Sequence, residues 1–336
     1  MKKYLLGAAA AAALLVSSGA AWAEAVTLQL KWVTQAQFAG YYVAQEKGYY
    51  KDAGLDVTIK LGGPDINPQQ VLAGGGADVA VDWMPSALAS REKGSLNVNI
   101  AQPFKRSGMM QTCRAETGIK TPADFKGKTL GVWFFGNEYP FMAWMAKLGY
   151  KIKKDANDTA GDILVIKQNF NVDPLIQKQA DCISTMTYNE YWQIIDAGIP
   201  ADQLVTFKYE DQGVSTLEDG LYVLEDKLKD PAFVETMAKF VKASMKGWDY
   251  ARANGDEAAQ IVVDADVTGA AGIDHQKRMM SEINKLTEGS DGTLDVASAE
   301  RTVETLLSAG GEAPVITKKP EGAWTSVVTD KMKTLP

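Results

Sequence analysis

From Val26 onward the chain alternates two kinds of stretch. Short runs of alternating or continuous apolar residues predict strands, and longer runs closed by glycine predict helices. "VTLQLKW" predicts a first strand, "FAGYYVAQEKG" a helix closed at Gly48, and "LDVTIKL" a second strand. "DINPQQVLAGGG" offers Asn67 as N-cap and Pro68 at the first helical position, and "ADVAVDW" predicts a third strand. "MPSALASREKG" then predicts a helix closed at Gly94, and "NVNIAQPF" a fourth strand. Single helices between strands imply right-handed crossovers and a mainly parallel sheet.

After Gln102-Pro103-Phe104 the same pattern begins again. "GMMQTCR", "KTLGVWF", "DILVIKQN" and "ADCISTMT" predict strands. Between and after them lie a capped turn "TPADFKG" and the helices "YPFMAWMAKLG", "VDPLIQKQ" and "NEYWQIIDAG". Asp173-Pro174 repeats the cap-plus-proline device of Asn67-Pro68, which argues for two similar α/β lobes. The remainder changes character: Phe233, Met237, Phe240, Val241, Trp248 and Ala251 fall on one face of a helix. The expected division is 24–103 for the first lobe, 104–230 for the second, and 231–336 for a helical part that packs back on them.

The beginning of the chain reads differently. Met1, Lys2 and Lys3 precede an Ala-rich apolar run that ends at Ala21-Trp22-Ala23, the pattern of a signal peptide spanning 1–23 and cleaved after Ala23. The expectation is an exported, periplasmic protein without a lipid anchor, since no cysteine follows the run. Losing Lys2 and Lys3 takes the formal charge from −7 to −9, which disfavours nucleic acid and anionic lipid as partners. Cys113 and Cys182 are the two cysteines; an oxidising compartment permits a disulfide, and two buried thiols fit their strand-like contexts equally well. Two cysteines and one distant histidine cannot make a structural zinc site.

The stretches "QAQFAGYYVAQEKGYYKDAGLDV", "GGGADVAVDWMPSALASREKG", "TPADFKGKTLGVW" and "QADCISTMTYNEYW" resemble the periplasmic solute-binding proteins of ABC importers. Within these the chain is similar to the branch that binds nitrate, sulfonates and thiamine-pyrimidine precursors. The resemblance covers roughly Thr27 to Trp248. It implies an α/β chain with the two-lobed type II periplasmic-binding-protein fold and a hinged central cleft. It also implies a monomer that binds a small molecule and delivers it to permease subunits driven by a cytoplasmic ATPase, with no cofactor and no catalysis.

In open α/β sheets, ligands sit beyond the carboxyl ends of the strands. The candidates after the first and third strands are Trp32, Gln35, Gln37, Phe38, Tyr41, Asp82 and Trp83. In the second lobe they are Phe134, Phe135, Gly136, Asn137, Glu138 and Tyr139, then Tyr188, Asn189, Glu190, Tyr191 and Trp192. The expected ligand-binding set is Trp32, Gln37, Tyr41, Asp82, Trp83, Gly136, Asn137, Glu138, Tyr188 and Glu190. Between Trp32 and Tyr50 alone there are six aromatic rings, and each is either core packing or a cleft wall.

A nitrate, sulfonate or taurine receptor needs donors without acceptors. Asp82, Glu138 and Glu190 instead offer acceptors, which suit a flat heterocycle bearing N–H groups. Lys105 and Arg106 at the crossover could supply a positive patch or sit as solvated hinge charges. Glu190 in "YNEYW" resembles the acid that pyrimidine-precursor binders of this family place against the ring amine; a helix N-terminal role is the competing meaning. The family also includes a thiamine-pyrimidine synthase that uses a cleft histidine and a cysteine-rich motif. With His275 far along the helical part and no cysteine cluster, that activity is not expected. Neither a Gly-x-Ser-x-Gly elbow nor a phosphate-binding loop is present.

Overall fold

The computed structural model describes residues 23–308 and 314–336. The expected signal segment therefore lies outside the described residues, apart from Ala23. Among the described residues, no helix is long and apolar enough to cross a membrane.

The first sheet is built from β1 (Glu24–Gln29), β2 (Leu55–Lys60), β3 (Val79–Asp82) and β4 (Asn97–Ala101). The second contains β5 (Met109–Arg114), β6 (Thr129–Val132), β7 (Leu164–Lys167), β8 (Cys182–Met186) and β9 (Leu204–Lys208). A tenth strand, β10 (Gly220–Leu224), returns to the first sheet. The orders are β2-β1-β3-β10-β4 and β7-β6-β8-β5-β9, so each lobe has a five-stranded sheet.

These sheets are mixed rather than mainly parallel. β1 lies parallel to β2 and β3, and β6 parallel to β7 and β8. β10 runs antiparallel to β3 and β4, and β5 antiparallel to β8 and β9. The cause is the path of the chain: β5 and β10 each enter a lobe directly from the other lobe, without the helix that would reverse their direction. β10 also lies within 104–230, the stretch expected to form the second lobe, yet pairs in the first sheet.

Local signals account for most elements. Asn67 caps the helix Pro68–Ala73 by accepting from the amides of Gln69 and Gln70. Thr121 and Asp124 form a capping box on the turn Pro122–Phe125. The long helix Pro231–Ala253 crosses the helix Ala39–Glu46 at Gly247 and Gly40, where a Cβ at Gly247 would overlap the carbonyl oxygen of Gly40. Trp248 fills the space beside that crossing, edge-on to Tyr41 and Phe104 with centroids 5.7 Å apart in both pairs.

Cys113 and Cys182, direct partners in the β5–β8 register, are joined by a disulfide. Of the two states open to these cysteines, the bonded one is present; closing so long a loop typically stabilises a fold by about 2–4 kcal/mol.

Two crossings connect the lobes, one between β4 and β5 and one between β9 and β10. Glu218 ties them together: its carboxylate accepts from Ser107 Oγ at 2.6 Å and from the Gly108 amide at 3.0 Å. Gln102 Nε2 donates to the Glu218 carbonyl from the first crossing. The result is the two-lobed α/β architecture with a hinge at the base of a cleft.

Candidate functional site

The segments that follow β1, β3, β6 and β8 meet between the lobes and line a pocket. Trp32, Trp83 and Trp133 supply indole walls, with Tyr188 and Met186 completing the apolar lining. Trp32 of the first lobe meets Trp133 of the second edge-on, centroids 6.0 Å apart. Trp133 is held by its Nε1, which donates to the Asn169 carbonyl.

The polar lining is Lys31, Gln35, Gln37, Asn137 and Glu190. Lys31 is buried and its ammonium sits 2.5 Å from Asp82 Oδ1 and 4.8 Å from the centre of the Trp83 ring. Asp82 Oδ1 also accepts from the Trp83 amide, so this ion pair fixes the wall it lies beside. A line of amides then spans the cleft. Gln37 Nε2 donates to Asp219 Oδ2 at 2.7 Å, and Gln35 Nε2 donates to Gln37 Oε1 at 2.6 Å. Asn189 Nδ2 donates across the lobes to Gln35 Oε1 at 3.2 Å and to Glu190 Oε1 at 2.8 Å.

Glu190 begins the helix Glu190–Asp196 and is 1% exposed. Its Oε2 accepts from the Met186 amide at 3.0 Å. Burial raises its pKa to about 7, against the lowering effect of these backbone and Asn189 hydrogen bonds. Burial likewise raises Asp219 to about 7 and Glu218 to about 8. Asp219 adopts positive φ (42°) on the crossing, and its carboxyl accepts from Gln37.

Of the ten expected residues, six line the cavity: Trp32, Gln37, Trp83, Asn137, Tyr188 and Glu190. Tyr41 does not; it is buried against Trp248 in the first lobe, since the helix carrying it turns that face toward the long C-terminal helix. Asp82 lies behind the wall, paired with Lys31. Glu138 accepts from the Gly136 amide and closes its own loop, with its carboxyl raised by burial. Gly136 packs against Ser86 of the opposite lobe.

Sequence reasoning passed over Lys31, Trp133, Met186 and Asp219. The first three lie at or just past strand ends, where the sequence pattern predicts strand interior. His275 is the larger surprise: although distant in sequence, its Nε2 lies 2.8 Å from Asn189 Oδ1, directly behind the cleft wall. A cysteine cluster is still lacking, because Cys113 and Cys182 are both in the disulfide.

The lobes touch at the rim as well. Lys167 pairs with Asp65 at 2.6 Å, and Asn67 Nδ2 donates to the Phe135 carbonyl at 3.3 Å. Gly136 has φ 98°, and an added Cβ would lie 2.5 Å from Ser86 Oγ. Gly136→Ala is therefore expected to disfavour the closed form by about tenfold, through backbone strain and this contact. Small-angle scattering would record a larger radius of gyration; an unchanged curve would show that the contact does not govern closure.

Residues 35–258 match the model of the family described as NMT1/THI5 like. The chain is 25% identical to a formylaminopyrimidine-binding protein of Halalkalibacterium halodurans over 71% of this chain and 70% of that one. It is 24% identical to the riboflavin-binding protein RibY of Chloroflexus aurantiacus, over 70% of this chain and 64% of the other. A solved structure from Bordetella bronchiseptica RB50 superposes with a TM-score of 0.69 at 21% identity, covering 92% of this chain and 96% of that one. The chain thus belongs to the NMT1/THI5-like family, with the fold of the periplasmic solute-binding proteins that serve ABC importers.

Proposed function

We propose that this protein is the periplasmic receptor of an ABC importer and that its cleft holds a small planar nitrogen heterocycle of the pyrimidine kind. The carrying observation is the charge inventory of the cavity. Its one cation, Lys31, is committed to Asp82, while Glu190 faces the same space with no cationic partner at hydrogen-bond distance among the described residues. A ring amine between indole walls would give Glu190 a donor, and a charge-assisted hydrogen bond of that kind contributes about 1.5–3 kcal/mol. An oxyanion there would face a buried carboxyl and compete with Asp82 for Lys31.

The relative that binds formylaminopyrimidine supports the same class. Lys31 is the observation that favours the second reading, a nitrate or sulfonate receptor, because it places an ammonium on the cavity wall. In either case the closed pair of lobes is the form offered to the permease, and the protein acts as a monomer.

A thermal-shift panel of formylaminopyrimidine, riboflavin, nitrate, methanesulfonate and taurine tests the assignment. A ligand at 100 times its Kd adds about 2.7 kcal/mol to the folded state. The pyrimidine is expected to raise Tm and the anions to leave it unchanged. Stabilisation by nitrate or a sulfonate alone would overturn the ligand class and keep the receptor role.

A further inference from the structure

The helix Ile273–Thr287 is rooted in the first lobe. Gln276 Oε1 accepts from the Ala36 amide at 2.7 Å, Met279, Met280 and Ile283 are buried in the core, and the Leu286 carbonyl accepts from the Lys105 amide at the first crossing. Its first turns nevertheless reach the second lobe. His275 Nε2 meets Asn189 Oδ1, Arg278 donates to Asp196 Oδ1 at 2.9 Å, and the Arg278 guanidinium lies 5.0 Å from the centre of the Trp192 ring. All three partners lie on or next to the helix Glu190–Asp196, whose first residue lines the cavity.

Donor and acceptor roles make the His275 contact directional. Asn189 Nδ2 is used by Gln35 and Glu190, so Asn189 Oδ1 must face donors. Gln193 Nε2 donates to that oxygen at 2.9 Å, and His275 Nε2 is the second donor. His275 therefore carries a proton on Nε2, and its Nδ1 lies 3.9 Å from Asp196 Oδ2 without a hydrogen bond between them. Were the Asn189 amide to flip, its NH2 would oppose both donors, and the links to Gln35 and Glu190 would be lost together.

We infer that the helix Ile273–Thr287 is a strap from the first lobe that grips the ligand-wall helix of the second, with His275 as the positioning residue for Asn189. The strap holds the closed form from outside the cavity, so its loss is expected chiefly in the dissociation rate of bound solute. This inference rests on the proposed cleft ligand only for its binding readout.

Three variants test it: His275→Phe removes the donor at similar volume, His275→Gln retains an N–H of similar reach, and Asp196→Ala acts from the exposed side of the second lobe. With formylaminopyrimidine as probe, His275→Phe is expected to speed dissociation roughly fivefold with little change in association, the loss of about one hydrogen bond. His275→Gln should stay within about twofold of the parent. In the absence of probe, small-angle scattering of His275→Phe combined with Asp196→Ala should show a more open particle than the parent. The dissociation arm fails if His275→Phe and His275→Gln are slowed or hastened alike, and that result would reduce His275 to packing. If formylaminopyrimidine does not bind the parent, the ligand assignment falls, and scattering decides the strap alone: superimposable curves overturn it, and an expanded variant supports it.

Discussion

Glu190→Gln is expected to weaken formylaminopyrimidine binding by roughly 10- to 100-fold, the effect of losing a charge-assisted hydrogen bond in a buried site. The substitution keeps the volume, so the indole walls stay in place. One amide end can still accept from Asn189 or from Met186, but its NH2 then confronts the other donor. Some loss of stability therefore accompanies the loss of affinity, and titration calorimetry together with a melting curve separates them. Affinity should also depend on pH in the parent. A solute that donates to Glu190 favours its ionised form, and the free carboxyl has a pKa of about 7, so binding weakens as pH falls below 7. Glu190→Gln should abolish that slope. Equal affinity in the two proteins would remove Glu190 from the contact set.

The second large effect concerns the ligand-free protein. Glu190, Glu218 and Asp219 titrate near 7, 8 and 7, each raised by burial above the usual carboxyl range near 4. In the unfolded chain they ionise near pH 4, so between about pH 4.5 and 8 the folded state binds more protons than the unfolded state. Their favourable contribution is complete below pH 4 and is lost as pH rises through 7 to 8. Three such acids together make stability fall by several kcal/mol from pH 5 to pH 8, a large part of an ordinary folding free energy. Denaturant unfolding at pH 5.5 and at pH 8 checks this, with the higher stability expected at the lower pH. Asp219→Asn should flatten the profile, and a stability that rises toward pH 8 would contradict the burial argument.

The hinge is harder to read from the sequence than the lobes. Periodicity and caps marked most of the lobe elements, because Asn67-Pro68 and Thr121-Pro122 signal helix starts through local hydrogen bonds that need no tertiary partner. β9 and β10 carry no such punctuation. "GLYVL" follows a crossing and not a helix, and its direction is set by the return of the chain to the first lobe. Asp219 sits on that crossing with a positive φ, which no residue pattern announces.

Strand ends point to Trp32, Trp83 and Glu190, which line the pocket, since position along a strand decides which residues reach the cleft. The guide failed by a residue or two at Lys31 and Trp133, where inward direction depends on the last turn of the strand. Tyr41 shows the opposite failure. A ring near a strand end still packs inward when a helix from the far end of the chain, here Pro231–Ala253, covers it. His275 could not be placed at all without the tertiary fold, which brings it to Asn189 across 86 residues.

A crystal structure of the protein grown with formylaminopyrimidine and nitrate together addresses the solute class most directly. The account predicts a pyrimidine ring among Trp32, Trp83 and Trp133, with a ring amine donating to a Glu190 carboxylate and the Lys31–Asp82 pair intact. A nitrate ion held by Lys31 and main-chain amides, with Asp82 displaced and no ring in the cavity, would contradict it.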